Sequence, residues 1–423
     1  MTYKNTLDFA RNEDKNDPLA GYRHEFHFPQ HEGSDVVYFT GNSLGLQPKR
    51  TKHFVEQELN DWARLGVEGH FLAKHPWFSY HENLTAYGAE IVGAKNTEVV
   101  YMNQLTVNIH LLMVSFYRPT KSRYKILCEV KAFPSDQYAL ESQVKFHGFN
   151  PDEAIIEAKP RTGEYSIRTE DILKLIDENK DSLALVMMGG VNYYTGQLFD
   201  MEAITKHAHQ YGIIVGFDLA HAAGNAELKM HDWNVDFASW CSYKYLNSGP
   251  GGVSGAFVHE KHHKSGLNRF AGWWGYDKNT RFKMEKGFKP IETAEGWQLS
   301  NAPVLSMAAH MASLEIFHEA GMKKLNEKTE KLTGYLEFII DEISAAQPED
   351  KKFEIITPRD KKQRGCQLSV VAHNRGKNLF TDLLAHGVIA DWREPNVIRL
   401  APVPLYNSFE DMYRFGEILK SVL

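Results

Sequence analysis

The sequence predicts an α/β protein: a large domain with a mainly parallel sheet flanked by helices, plus a smaller C-terminal α/β domain. Three observations predict it. Short continuous apolar runs, such as residues 183–187 and 213–217, have the length and texture of strands buried on both faces. Segments with apolar residues at helical spacing alternate with them, and that alternation implies crossovers and a parallel sheet. From about residue 302 two long helical stretches give way to shorter strands, which marks a second unit. The expected organisation is an N-terminal arm over 1–44 packing on the small domain, a large domain over 45–301 and a small domain over 302–423.

The elements follow in order. Residues 1–37 are polar and read as an arm that wraps or docks. Residues 37–40 form a short strand, and Gly41-Asn-Ser-Leu-Gly45 a glycine-bounded turn. Residues 50–65 are helical, with Phe54, Leu59 and Trp62 on one face. Strands are expected at 99–102, 125–128, 183–187, 213–217, 236–241 and 253–258. Helices are expected from Thr106, after Phe133-Pro-Ser-Asp136, and from Asp200 to Tyr211. Pro303 starts a long amphipathic helix through Phe317, Gly321 breaks it, and a charged helix runs over 322–344. Strands near 353–356, 367–372 and 397–400, with helices near 376–385 and 409–421, complete the small domain.

Composition narrows the function classes. The 423 residues carry a net charge of −6, from 48 basic and 54 acidic side chains. That balance argues against nucleic acid as a partner, since such proteins carry a basic excess. Cys128, Cys241 and Cys366 lie far apart, form no CxxC pair and suit a reducing cytoplasm. The N-terminus has no apolar signal-peptide core, and no apolar run approaches the roughly 20 residues that span a bilayer. A cytoplasmic protein without a membrane partner is expected.

Candidate chemistry centres on Lys244. It sits between Tyr243 and Tyr245, after a β-prone run and before Gly249-Pro-Gly-Gly252. An amine enclosed by aromatic and small residues loses its proton more readily and attacks carbonyls, the requirement for a Schiff-base lysine. A lysine reaching out of a loop fits the same residues. Asp218 closes the apolar run 213–217, at the carboxyl end of a strand, where open α/β sheets place ligand chemistry. A carboxylate there suits a pyridine nitrogen that must stay protonated. A helix N-cap for Asp218 and a core role for His221 are the alternatives.

Leu105-Thr106 and Phe133-Pro134-Ser135-Asp136 put donors at helix starts, where anions bind and where ordinary caps also occur. Arg399 lies on the apolar run 397–400, and a buried arginine needs an anion, from a ligand or from a structural carboxylate. His262-His263 and His207-x-His209 read as solvated helix faces, so no metal site is expected.

Several blocks resemble kynureninase. They are Phe39-Thr-Gly-Asn-Ser-Leu-Gly-Leu-Gln-Pro48, Phe133-Pro-Ser-Asp136, Tyr193-Tyr-Thr-Gly-Gln197 and Phe217-Asp-Leu-Ala-His-Ala-Ala-Gly-Asn225, with the Lys244 stretch. Gly272-Trp-Trp-Gly275, Gln298-Leu-Ser-Asn-Ala-Pro303 and Arg399-Leu-Ala-Pro-Val-Pro-Leu-Tyr-Asn407 continue the resemblance in the family's order. It implies a pyridoxal 5'-phosphate enzyme of the aspartate-aminotransferase-like fold. The implied reaction cleaves L-kynurenine or 3-hydroxy-L-kynurenine to anthranilate or 3-hydroxyanthranilate and L-alanine, in tryptophan breakdown or NAD synthesis. The enzyme would work as a homodimer.

By resemblance Lys244 is the Schiff-base lysine, Asp218 pairs with the ring nitrogen, and Tyr243 is a proton donor or acceptor. His221 lies beside the ring and Phe133 stacks on it. Leu105, Thr106, Pro134, Ser135, Asp136 and Tyr243 complete the cofactor pocket. Trp273 and Asn301 reach it from the partner subunit. Arg399 holds the substrate α-carboxylate. His70, Trp274, Ser300 and Asn301 surround the substrate ring, and the histidine favours a ring hydroxyl. A cysteine desulfurase-like lyase is the rival within the same fold. It needs a mobile nucleophilic cysteine, and Cys366, at the start of a β run, reads as buried.

Overall fold

The computed structural model describes residues 2–423. Seven strands form the large sheet: β1 (Val99–Tyr101), β2 (Lys125–Glu129), β3 (Ile155–Ala158), β4 (Leu183–Gly189), β5 (Ile214–Asp218), β6 (Phe237–Trp240) and β7 (Gly255–Val258). Their spatial order is β1-β7-β6-β5-β4-β2-β3. The five strands from β6 to β3 run parallel to one another, while β7 is antiparallel to both its neighbours. Strand β4 is buried along its whole length, which is why it reads as one apolar run without alternation.

Helices cover both faces. The helices Leu105–Phe116 and Pro134–Phe146 pack together on one side, where Phe116 stacks on Phe237 of β6. The helix Val304–Ala320 packs against the helices Thr51–Leu65 and Glu82–Val92 on the other. It is buried on nearly every side, so its sequence lacks the amphipathic stripe expected of a surface helix.

The second sheet is antiparallel, in the order β8-β9-β11-β10, built from β8 (Phe353–Ile355), β9 (Leu368–Ala372), β10 (Asp391–Arg393) and β11 (Val397–Leu400). Its core shares side chains with the helices Met322–Ala345 and Phe409–Ser421. The N-terminal helix Leu7–Lys15 packs along Phe409–Ser421 and buries Ala10 in that core. The short strand Val37–Tyr38 pairs in parallel with Val388–Ile389.

One helix differs from its expected orientation. In Thr51–Leu65 the side chains Leu59 and Trp62 are exposed, while Glu58 and Asp61 are buried. The acids face inward because they have fixed donors there. Glu58 accepts from Trp77 Nε1 at 2.8 Å, and Asp61 accepts from the backbone N–H of Lys74 at 3.0 Å. The strands β3 and β10 and the helices Leu7–Lys15, Glu82–Val92 and Thr169–Asn179 are additions to the expected set, although Leu7–Lys15 and Thr169–Asn179 have clear helical periodicity.

Candidate active site

A cavity of about 300 Å³ opens at the carboxyl ends of the parallel strands and holds both Lys244 and Asp218 on its wall. Asp218 is the last residue of β5, and Glu129 and Gly189 end β2 and β4 beside it. The sheet therefore delivers three consecutive strand ends to one place, as open α/β sheets do for their ligands.

The lysine is fixed from outside its own segment. Gly45 N–H donates to the carbonyl of Tyr243 at 2.9 Å. A Cβ on Gly45 would run into the Lys244 carbonyl and the Asn247 side chain, so the turn that begins at Gly41 must end in glycine. On the far side Ser242 Oγ bonds Ser248 Oγ at 2.6 Å and also the carbonyl of Val253. Lys244 Nζ then lies 3.1 Å from His221 Nε2 and 5.7 Å from the centroid of the Phe133 ring. Burial first, and the Lys244 charge second, hold the His221 imidazole well below its usual pKa. A neutral ring is what accepts a hydrogen bond from a lysine, and this places the ring proton on Nδ1.

Three acids share the cavity. Ala220 N–H donates to Asp218 Oδ1 at 2.7 Å. Burial, and then the adjacent Asp218, raise Asp136 well above the usual carboxylate range. Burial raises Asp218 as well, against the pull of Asp136, the Lys244 charge and the Ala220 N–H. Glu129, missed in the sequence reading, accepts from Gly189 N–H at 3.2 Å through either oxygen. Its place just after the expected strand 125–128 was a usable signal. Burial also raises the Tyr243 phenol, which keeps its proton beside Cys241.

Leu105, Thr106, Phe133, Ser135, Asp136, His221 and Tyr243 all line this cavity with Lys244 and Asp218. Pro134 opens the helix Pro134–Phe146 and lies outside the lining set. Thr106 and the first-turn N–H groups of Leu105–Phe116 form an anion-binding helix end. A buried carboxylate, a reachable amine, a helix N-terminus and an aromatic side chain, half-open to the cavity, fit a pyridoxal phosphate. The cationic ring nitrogen suits Asp218 and the phosphate suits the helix end.

The remaining expected residues lie elsewhere in the chain. Ser300 and Asn301 line a separate cavity of about 210 Å³, joined to the first by Gln104, which lines both. Trp273 is 42% exposed, in a short turn beside Phe282. Trp274 is buried against Phe78 and the guanidinium of Arg281, so within one chain its ring is part of a packed cluster. His70 packs edge-on to Trp77. Arg399 is buried and takes the structural carboxylate left open above: its Nη2 lies 2.9 Å from Asp391 Oδ2, and its Nη1 donates to the Tyr193 carbonyl at 2.8 Å.

The histidine pairs correct a second expectation. His209 and His262 both hold the buried Asp236, at 2.8 and 2.7 Å, and His263 is buried against the Val258 carbonyl. His209 and His262 are structural partners of an acid and His263 of a backbone carbonyl, in place of solvated faces.

The family description "Kynureninase C-terminal domain" matches residues 325–419. A kynureninase of Flavobacterium psychrophilum is 61% identical over 425 residues, covering 99% of each chain. The chain belongs to the kynureninase family. The kynureninase of Mus musculus is 47% identical over 97% of this chain and 92% of its own. Among solved structures, a cysteine desulfurase from Thermococcus onnurineus superposes with a TM-score of 0.74 over 100% of this chain and 99% of its own. One from Escherichia coli gives 0.75 over 95% and 98%. At 17% and 16% identity these two fix the fold that the kynureninase family shares with them, and nothing of the chemistry.

Proposed function

We propose that the cavity binds pyridoxal 5'-phosphate on Lys244 and that the chain hydrolyses L-kynurenine or its 3-hydroxy form to anthranilate or 3-hydroxyanthranilate and L-alanine. One observation carries this reading: in a chain of the kynureninase family, Lys244 and Asp218 line one cavity of about 300 Å³. Bound there, the pyridoxal ring supplies an electron sink for negative charge developing beside the amino group of the substrate.

The residues of the chain do the rest. Asp218 keeps the ring nitrogen protonated, with Asp136 beside it on the cavity wall. With the cofactor bound, the Lys244 amine would take and return protons at the substrate Cα, with neutral His221 as its hydrogen-bond acceptor. Tyr243 retains its proton and is placed to donate it as the Cβ–Cγ bond breaks. Water adds to the γ-carbonyl, so the aromatic half leaves as the carboxylic acid. Arg399 holds the α-carboxylate. Of its five N–H groups, one on Nε and one on Nη1 are hydrogen-bonded, to Asp391 and Tyr193, and Nη2 is buried without a hydrogen-bond partner, which leaves donors on both terminal nitrogens for a carboxylate.

A homodimer completes the site, with Trp273 and Asn301 of each chain serving the other. Phe71 and Phe282, 58% and 56% exposed, bracket Phe78 in a stacked aromatic row that ends at Trp273. An open row of this kind marks a surface meant to be covered, and His70, Ser300 and Trp274 near the substrate ring fit a site closed from that side. Three free, buried cysteines suit the cytoplasm. No helix among the described residues is long and apolar enough to cross a membrane. The desulfurase reading fares poorly: Cys366 is fully buried, and burial pushes its thiol up to about 12.

The test is a product assay. Wild-type protein with L-kynurenine should release anthranilate and L-alanine in equal amounts, and Lys244→Ala should cut turnover by at least about a thousandfold. Unchanged turnover in Lys244→Ala would end the assignment.

A further inference from the structure

Asp391 lies opposite Arg399 in the β10–β11 register. Its Oδ1 accepts from Arg399 Nε at 3.2 Å while Oδ2 stands 2.9 Å from Nη2, so the carboxylate grips the guanidinium from the side. A second arginine reaches the same carboxylate: Arg393 Nε is 3.2 Å from Oδ1, and its Nη2 donates to Oδ2 at 3.3 Å. Arg399 is 1% exposed, Asp391 13% and Arg393 35%, so the three run from the interior toward solvent. Two cations on one anion leave a net positive group. It abuts the cavity through Tyr193, whose carbonyl holds Arg399 and whose ring packs edge-on to Phe133 at 5.2 Å. Both guanidiniums contribute to holding His221 neutral, so their field reaches that wall of the cavity.

We propose that Arg393, Asp391 and Arg399 form one carboxylate clamp for the amino-acid substrate, with Asp391 as the positioning residue and Arg393 as a second cation that draws the anion in. The proposal rests on the reading of Arg399 given above. Asp391 fixes the plane of the Arg399 fork, while Arg399 Nη2 is buried without a hydrogen-bond partner. Were Arg399 neutralised one-to-one by a single carboxylate, the site would have no net charge to offer an anion. Arg393 restores it. An arginine with side-on and backbone contacts on one flank is also preorganised, so less rotamer freedom is lost on binding.

The experiment compares Arg399→Ala, Asp391→Asn and Arg393→Gln in the cofactor-loaded enzyme. It measures KM and kcat for L-kynurenine, inhibition by L-alanine, and Tm. Asp391→Asn should raise KM and the L-alanine inhibition constant about tenfold, with kcat within about twofold. Arg393→Gln should raise both about threefold and flatten their dependence on salt. If Arg399→Ala leaves KM unchanged, the underlying carboxylate reading is wrong. If Arg399→Ala raises KM while Asp391→Asn and Arg393→Gln match wild type, only the clamp is overturned. A loss of Tm and kcat in Asp391→Asn at constant KM would reduce Asp391 to a strand tie and overturn it as well. Arg393→Gln leaves the inner pair intact, so it decides the question even if Asp391→Asn does not fold.

Discussion

Glu129 is buried in a cavity that already holds Asp136 and Asp218. Burial, against the pull of backbone donors and helped by the Asp218 charge, pushes its carboxyl from the usual 4.5 up to about 7. Between those two values the native chain keeps a proton that the unfolded chain has lost. The Glu129 contribution to stability is therefore full at low pH and is lost as pH rises toward 7. Glu129→Gln keeps an acceptor for the Gly189 N–H but cannot titrate. The stability advantage of wild type over Glu129→Gln, measured without added cofactor, should fall between pH 5 and pH 8 by a span on the order of 3 kcal/mol. A pH-independent difference would show that Glu129 does not titrate in this window. Residue identity made Lys244 and Asp218 legible in the sequence, because each is announced by its own strand and turn. Glu129 had a local signal in its place just after an expected strand, whereas Asp391 matters through the side chains of Arg393 and Arg399, a pairing across strands that no local pattern marks.

Among elements, those with one dominant period were read well. Strands β4 and β5 are buried on both faces and read as unbroken apolar runs. The helix Thr51–Leu65 was placed correctly along the chain and turned the wrong way, because apolar Leu59 and Trp62 face out while Glu58 and Asp61 find donors within. Binary patterning assumes that acids seek water, and a buried acid with fixed N–H partners defeats it. The N-terminal helix shows a similar tertiary link. Asp14 accepts from the backbone N–H groups of Phe409 and Glu410, at 2.7 and 2.9 Å, and so caps the C-terminal helix from outside together with Ser408. Asp14→Ala should destabilise that end by about 1–2 kcal/mol, seen as faster hydrogen exchange at the amides of Phe409 and Glu410. Exchange at wild-type rates would mean that Ser408 suffices as the cap.

At the scale of the whole molecule, the order β1-β7-β6-β5-β4-β2-β3 brings the ends of β2, β4 and β5 together, and the turn at Gly45 presses the Lys244 segment against them. The alternation of strands and helices announces such a sheet, but not which strand ends become neighbours. It also leaves open that Trp273, Ser300 and Asn301 stand apart from the lysine within one chain. The central claim is that the amine of Lys244 and the carboxylate of Asp218 hold opposite ends of one aldehyde cofactor. Borohydride reduction of the protein with pyridoxal 5'-phosphate, followed by peptide mass spectrometry, tests it most directly. The account predicts one phosphopyridoxyl group per chain, on Lys244, and loss of that label in Lys244→Ala. A label on another lysine, or none, would contradict it.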